Sequence, residues 1–416
     1  MNNKFAILVF LLVASLCLFS ACSEDDDSGT TTVPTITEIS IAALVAQTGF
    51  FSDQADAYIA ALNLAVEDVN ADFDARGLNF EVDLTYSDTK TDPDVASTLL
   101  NAYLDQDFRF VVGPMTSDEV SKLKDDVDLS QSILISPSSS LIDLAVADDN
   151  IYRLVTDDSK MAEAMVKAMM SKGISNLAIL HYDNYWGHSV AELMRSEFEA
   201  QGGTIIDTFA FYGGRSSEIT EVLDSLSVSI NDFLTTGDPA TAAIQMISYD
   251  TGSIVLEIAS SDTTLGKVKW FGCDGYVNNT ALFDTSYEAG ADFAALVEFT
   301  SPVFGVESTT NYQALYDRIQ AVTGSTPGVY AMLHYDAFVA SANALQSAGE
   351  DADLSVLKDA LVQALSDIPG VTGNITLNDA GDRANGKYFF WTVMENRGSY
   401  EWVHSMTYSD GTITEE

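Results

Sequence analysis

The feature that most constrains this chain is an alternation of two periodicities that runs to about residue 135 and then starts again. Residues 39–45 are an apolar run ending before Gly49. Tyr58, Leu62, Ala65, Val66 and Val69 then share one face at helical spacing. Phe80, Val82, Leu84 and Tyr86 alternate with polar residues, the pattern of a half-buried strand. A further apolar run, 108–112, stops at Gly113-Pro114; a helix is predicted over 118–127 and a short strand over 133–135. This βαβα order implies a parallel sheet with helices on both faces.

The second round opens with a helix over 161–170 closed by Gly173, a strand over 177–180 and a helix over 188–201 ended by Gly202-Gly203. Strands are predicted over 204–209, 253–258 and 268–271, with 231–243 left as a polar loop of unassigned role. Helices over 311–322, 329–348 and 354–365 follow, then short strands near Ile375, over 388–394 and near Trp402. A late helical block after two sheet units suggests a chain that returns to its first half.

The chain's 416 residues carry 62 acidic and 19 basic side chains, a net charge of -43. Nucleic-acid binding needs many cationic contacts to phosphate, so that class is excluded. Lys4 followed by the apolar stretch 5–19 reads as a secretion signal, too short for a membrane span. Ser20-Ala21-Cys22 resembles the end of a bacterial lipobox, which implies removal of residues 1–21 and a lipid on Cys22. The acidic run 23–27 resembles a surface-export tag of Bacteroidetes lipoproteins, and 22–35 reads as a flexible acidic tether. The expected location is the bacterial cell envelope, anchored to the outer membrane. Of three cysteines, Cys17 lies in the signal, Cys22 at the anchor, and Cys273 stands alone, so no disulfide within the folded part is available.

Enzyme signatures are missing. The sequence contains no G-x-S-x-G elbow, no Walker loop and no G-x-G-x-x-G, and its histidines, 181, 188, 334 and 404, lack metal spacing. His181 and His188 read as surface residues, Cys273 as a packing residue, and 379–382 as a turn rather than a calcium loop. No catalytic residue, cofactor or metal is expected. What remains is a set of strand ends rich in small hydroxyl residues, where open α/β sheets bind ligands. They are Gly113 to Glu119, Ser136 to Ser140, Tyr182 to Gly187, and Gly272-Cys273-Asp274-Gly275. Backbone N–H groups at a helix start can seat an anion, aromatic faces can enclose a body, and Asp274 can pair with a cation. Asp274 capping its own turn is the alternative.

Taken in order, Gln47-Thr48-Gly49, the 65–70 helix end, 88–93, Val112-Gly113-Pro114, Ile135-Ser136-Pro137, Asp183 with Trp186-Gly187, 272–275, Tyr335-Asp336-Ala337 and 370–373 resemble a known family. It is that of the type I periplasmic binding proteins, in the leucine-isoleucine-valine-binding branch of ABC-transporter receptors. The resemblance implies two doubly wound parallel-sheet α/β lobes on a three-crossing hinge, near Leu154, Ser301-Pro302 and Pro369-Gly370. Lobe one is then 36–154 and 303–368, and lobe two 155–302 and 369–416. It also implies that Ser117 and Ser140 hold a ligand carboxylate, while the Ser138 carbonyl and Asp274 hold its ammonium. Trp186, Tyr335 and Gln54, with Phe51 nearby, fall on the remaining contact positions. Trp186, Asp274 and Gln54 depart from the family's Tyr, Glu and Tyr, which leaves branched-chain specificity open. The expected function is capture of a small polar ligand, an amino acid, for an ABC permease; a sensing or scavenging module on the same fold is the alternative.

Overall fold

In this computed structural model, residues 36–49, 52–213, 215–306, 308–367 and 369–416 are described; the expected signal, tether and Cys22 lie outside them. The first half runs β1 (Thr37–Val45), α1 (Ala55–Ala75), β2 (Phe80–Asp88), α2 (Pro93–Leu104), β3 (Phe110–Val112), α3 (Ser117–Asp128), β4 (Ile133–Ser136) and β5 (Ile151–Arg153). Its sheet is wholly parallel, in the order β2-β1-β3-β4-β5. The inner strand β1 is buried from Ile41 to Val45, whereas the edge strand β2 alternates, as its sequence requires. Local chemistry sets the helix starts: Asp92 accepts from Asp94 and Val95 N–H ahead of Pro93, and Thr116 with Glu119 forms a reciprocal capping box.

The second half runs α4 (Asp158–Ser171), β6 (Asn176–Tyr182), α5 (Tyr185–Ala200), β7 (Thr204–Phe211), α6 (Ser216–Leu234), β8 (Ala242–Ile247), α7 (Gly252–Ala259), β9 (Lys269–Phe271), α8 (Glu288–Leu296) and β10 (Thr300–Gly305). Strands β7-β6-β8-β9-β10 are parallel neighbours. Helices α9 (Thr310–Thr323), α10 (Val329–Ala348) and α11 (Leu354–Asp367) return to the first sheet, where α9 and α10 pack on α1. The chain ends with β11 (Lys387–Asn396), β12 (Ser399–Ser409) and β13 (Thr412–Glu415), an antiparallel extension beyond β10.

Four expectations need correcting. Residues 253–258 are helix α7, not a strand; an eight-residue apolar segment is as compatible with a buried helix as with a buried strand. The strand that fills its place is β8, which begins at Ala242 inside the supposed polar loop, behind the end of α6. Ile375 lies in no strand. Ser301-Pro302, expected at a crossing, lie within β10, which stays paired with β11 through Gly305. Pro302 is tolerated there because β10 meets β9 only at Thr300, so further along no β9 carbonyl awaits its missing N–H.

The passages between the halves follow β5, β10 and α11. Beside the first and third, two buried carboxylates, Asp382 and Asp336, are matched. Arg153 grips Asp382 with two hydrogen bonds, 2.5 and 2.7 Å, and donates a third to the Leu141 carbonyl at 2.7 Å. Asp336 accepts from the Val371 and Thr372 N–H groups and from the Thr372 hydroxyl. The turn at 379–382 thus spends its last carboxylate on Arg153.

Candidate functional site

Two loops at the ends of β3 and β4 make the first wall. Gly113 has φ +87, and a Cβ there would meet the Leu44 carbonyl oxygen at 2.2 Å, so only glycine fits. The chain then turns into the Thr116 cap and delivers Ser117 to the first position of α3. The Ser117 hydroxyl accepts from the Ser140 and Leu141 N–H groups, each at 3.2 Å, and pairs with the Ser139 hydroxyl at 3.0 Å. Ser138 donates its hydroxyl to the Met115 carbonyl and Ser136 donates to that of Pro114, both at 2.7 Å. The two loops therefore form one cross-linked unit.

The opposite wall comes from the ends of β6, β8 and β9. Asn184 caps α5 by accepting from Gly187 N–H at 2.8 Å, which fixes Trp186 in the first turn. Trp186 stacks on Tyr249, with ring centroids 4.8 Å apart. Gly275 lets them close: a Cβ there would stand 2.7 Å from the Ser248 carbonyl oxygen and 3.0 Å from the Trp186 ring. Asp274 follows β9 and receives the Tyr330 hydroxyl at 3.4 Å, a long contact from the other half of the molecule. Its second oxygen, Oδ1, is buried without a hydrogen-bond partner among the described residues.

Ser117, Ser138, Ser140, Trp186 and Asp274 thus line one cavity of about 30 Å³. That is room for roughly two water molecules. The halves are drawn together around it. Asn184 donates to the Asp118 carboxylate at 2.6 Å, and the Tyr185 hydroxyl donates to Asp143.

Two expected positions fall elsewhere. Tyr335 donates to Asp68 at 2.8 Å, and Arg318 grips the same carboxylate. With them it lines a separate cavity of about 290 Å³ beside Gly370. The tyrosine of α10 that reaches the cleft is Tyr330, five residues earlier and so turned by more than a third of a circle. Gln54 braces the loop before α10, accepting from Gly328 N–H at 2.7 Å. Phe51 lies outside the described residues. His181 is buried rather than superficial, with Nδ1 3.0 Å from the Tyr182 carbonyl oxygen. Cys273 is fully buried, which raises its thiol pKa and keeps it neutral.

Sequence reasoning also missed Tyr249, Tyr330 and Asp158. The last begins α4 and is completely buried. Burial, then the neighbouring Asp274 carboxylate, pushes its pKa up to about 8; burial likewise lifts Asp274 to about 6. A second facing pair is Asp250 and Asp53. Asp250, bonded to Asn279, is raised to about 7 by burial and then by Asp53.

The profile of the periplasmic binding protein family matches residues 38–398. A protein of Methanocaldococcus jannaschii, itself uncharacterised, is 26% identical over 353 residues, 80% of this chain and 81% of its own length. A leucine-binding protein of Thermotoga maritima superposes with a TM-score of 0.73 at 16% identity, covering 89% of this chain and 99% of that one. A substrate-binding protein of Desulfitobacterium hafniense in complex with Leu gives 0.66 at 20%, covering 88% and 100%. A solute-binding protein of R. palustris in complex with benzoate gives 0.69 at 13%, covering 88% and 96%. At these identities the solved structures share the fold.

Proposed function

Because this chain belongs to the periplasmic binding protein family, we propose that it captures an amino acid between its two lobes and delivers it to an ABC permease. The family works outside the cytoplasm. The observation that carries the ligand class is the meeting, in one cleft, of an anion-seating wall with a wall holding a half-unpartnered carboxylate. A ligand carboxylate fits the N-terminal end of α3 and the Ser140 loop; an ammonium fits Asp274. Trp186 and Tyr249 enclose what lies between. The neighbour with leucine and the neighbour with benzoate differ in this respect: only the first ligand offers an ammonium for Asp274. As the cavity stands it has no room for a side chain, so capture requires the lobes to part and close again.

A thermal-shift screen tests this. Amino acids, small amides and plain carboxylates are compared at millimolar concentration. Ligand at about 100 times its Kd stabilises the folded state by about 2.7 kcal/mol. Stabilisation by carboxylates alone, with none from any amino acid, sinks the proposal. The membrane attachment proposed for Cys22 is tested separately: the Cys22→Ser protein should move from the membrane to the soluble fraction.

A further inference from the structure

Asp158 is a buried acid that the fold leaves without a task. It is not the cap of α4: that is Asp157, whose carboxylate accepts from Ser159 N–H at 2.9 Å. The Asp158 side chain is fully buried, and neither of its carboxylate oxygens has an aligned hydrogen-bond partner among the described residues. The Ser140 hydroxyl lies beside it without that alignment. The charge that bears on it most is another carboxylate, Asp274, whose Oδ1 is also buried and unpartnered. Among the described residues the cation that bears on it is Arg153, which is committed to Asp382 and the Leu141 carbonyl. The remaining groups around Asp158 are the Asp157 carboxylate and, from β11, the Tyr388 hydroxyl, which is bonded to Thr156. Tyr330, from α10, faces Asp274 rather than Asp158. Asp274 lines the cavity, and Asp158 sits directly behind its Ser140 wall, donating its N–H to the Ser140 carbonyl at 2.8 Å. Three carboxylate oxygens unpartnered among the described residues thus lie at or next to the cavity, an arrangement that costs free energy until a cation arrives.

We propose that Asp158 is a ligand contact and that it and Asp274 together receive the cationic nitrogen of the bound amino acid, releasing a proton as it enters. The inference rests on the amino-acid reading above. Without ligand, the pair relieves its repulsion by holding one proton, consistent with the raised pKa of both groups. The entering ammonium brings its own N–H donors, one to each carboxylate, and the shared proton leaves for solvent. The balance is zwitterion plus protonated pair giving complex plus one H⁺.

The test is titration calorimetry near pH 7 in phosphate and in Tris, buffers of very different ionisation enthalpy, with each of the twenty common L-amino acids as probe. For those that bind, the apparent heats in the two buffers should differ by the amount expected for release of up to about one proton, and affinity should rise several-fold per pH unit between about pH 6 and 8. Asp158→Asn should abolish the buffer dependence and weaken binding at least about tenfold. Should that variant fold poorly, the buffer comparison on the unaltered protein decides alone. Binding with equal heats in both buffers overturns this inference and leaves the amino-acid reading standing. Binding by none of the twenty removes the reading and this inference with it.

Discussion

At the hinge, Arg153 and Asp382 are both buried and hold each other through two hydrogen bonds, with a third from Arg153 to a carbonyl. In the cleft, both carboxylate oxygens of Asp158 and the Oδ1 of Asp274 are buried as well and face a like charge instead. The same sheet-end architecture therefore treats buried charge in two ways. Matched charge ties together the segments that pass between the lobes. Unmatched charge in the cleft is a standing demand for a cation, met only when ligand binds. A hinge with the cleft's electrostatics would come apart; a cleft with the hinge's would have nothing left to bind.

Mutations can break this contrast. The largest effect is expected at the hinge: Asp382→Ala leaves the Arg153 guanidinium buried and unpaired, at a cost of about 3–5 kcal/mol, read as a drop in the denaturation midpoint. At Asp274, Asn keeps the shape and removes the charge. Amino-acid binding should weaken by about 2–5 kcal/mol, measured by calorimetry, while stability without ligand holds or rises. Equal affinity would return Asp274 to the role of a turn cap.

The contrast also has a pH signature. Asp158 and Asp274 have folded pKa values, about 8 and about 6, above the ordinary 3.8. Between pH ~4 and ~8 the folded protein therefore holds protons that the unfolded chain has shed. Their contribution to stability is present at low pH and is lost as pH rises through the folded values, at up to ~1.4 kcal/mol per pH unit for each proton. Chemical denaturation of the unliganded protein across that window should show the decline, and Asp158→Asn should flatten it. The smallest effect is expected at Tyr335→Phe. Losing its hydrogen bond to Asp68 should cost about 1 kcal/mol of stability and leave ligand affinity unchanged. A clear loss of affinity would put Tyr335 back into the cleft.

Much of this was legible beforehand for definite reasons. The first sheet announced itself through buried runs such as 108–112 stopped by Gly113-Pro114, and the serine-rich turns could be placed because they follow those strands directly. Asp274 was legible because glycines flank the end of β9. The second sheet was harder. Its strand β8 starts in a stretch that looks polar, and helix α7 behind it has no phase to read, so Tyr249 went unnoticed at the junction. Helix α6 was missed although Ile219, Leu223, Leu226 and Ile230 mark its buried face. Helix α10 is buried on nearly every side, which erases the amphipathic stripe that would have separated Tyr330 from Tyr335. Asp158 hid behind Asp157, since an acid at a helix start reads as a cap whether or not it is one.

The bridge from Asn184 to Asp118 has a consequence for timing. A hydrogen bond to a charged group contributes on the order of 1.5–3 kcal/mol. Together with the Tyr185–Asp143 contact it favours closure before any solute arrives. Any molecule that this clasp holds shut must reopen before it can load, so its capture rate climbs with solute concentration only until opening becomes the slow step, then levels off. The same clasp slows escape once the solute is inside. The stronger such a clasp, the more it trades speed of capture for retention of what is captured.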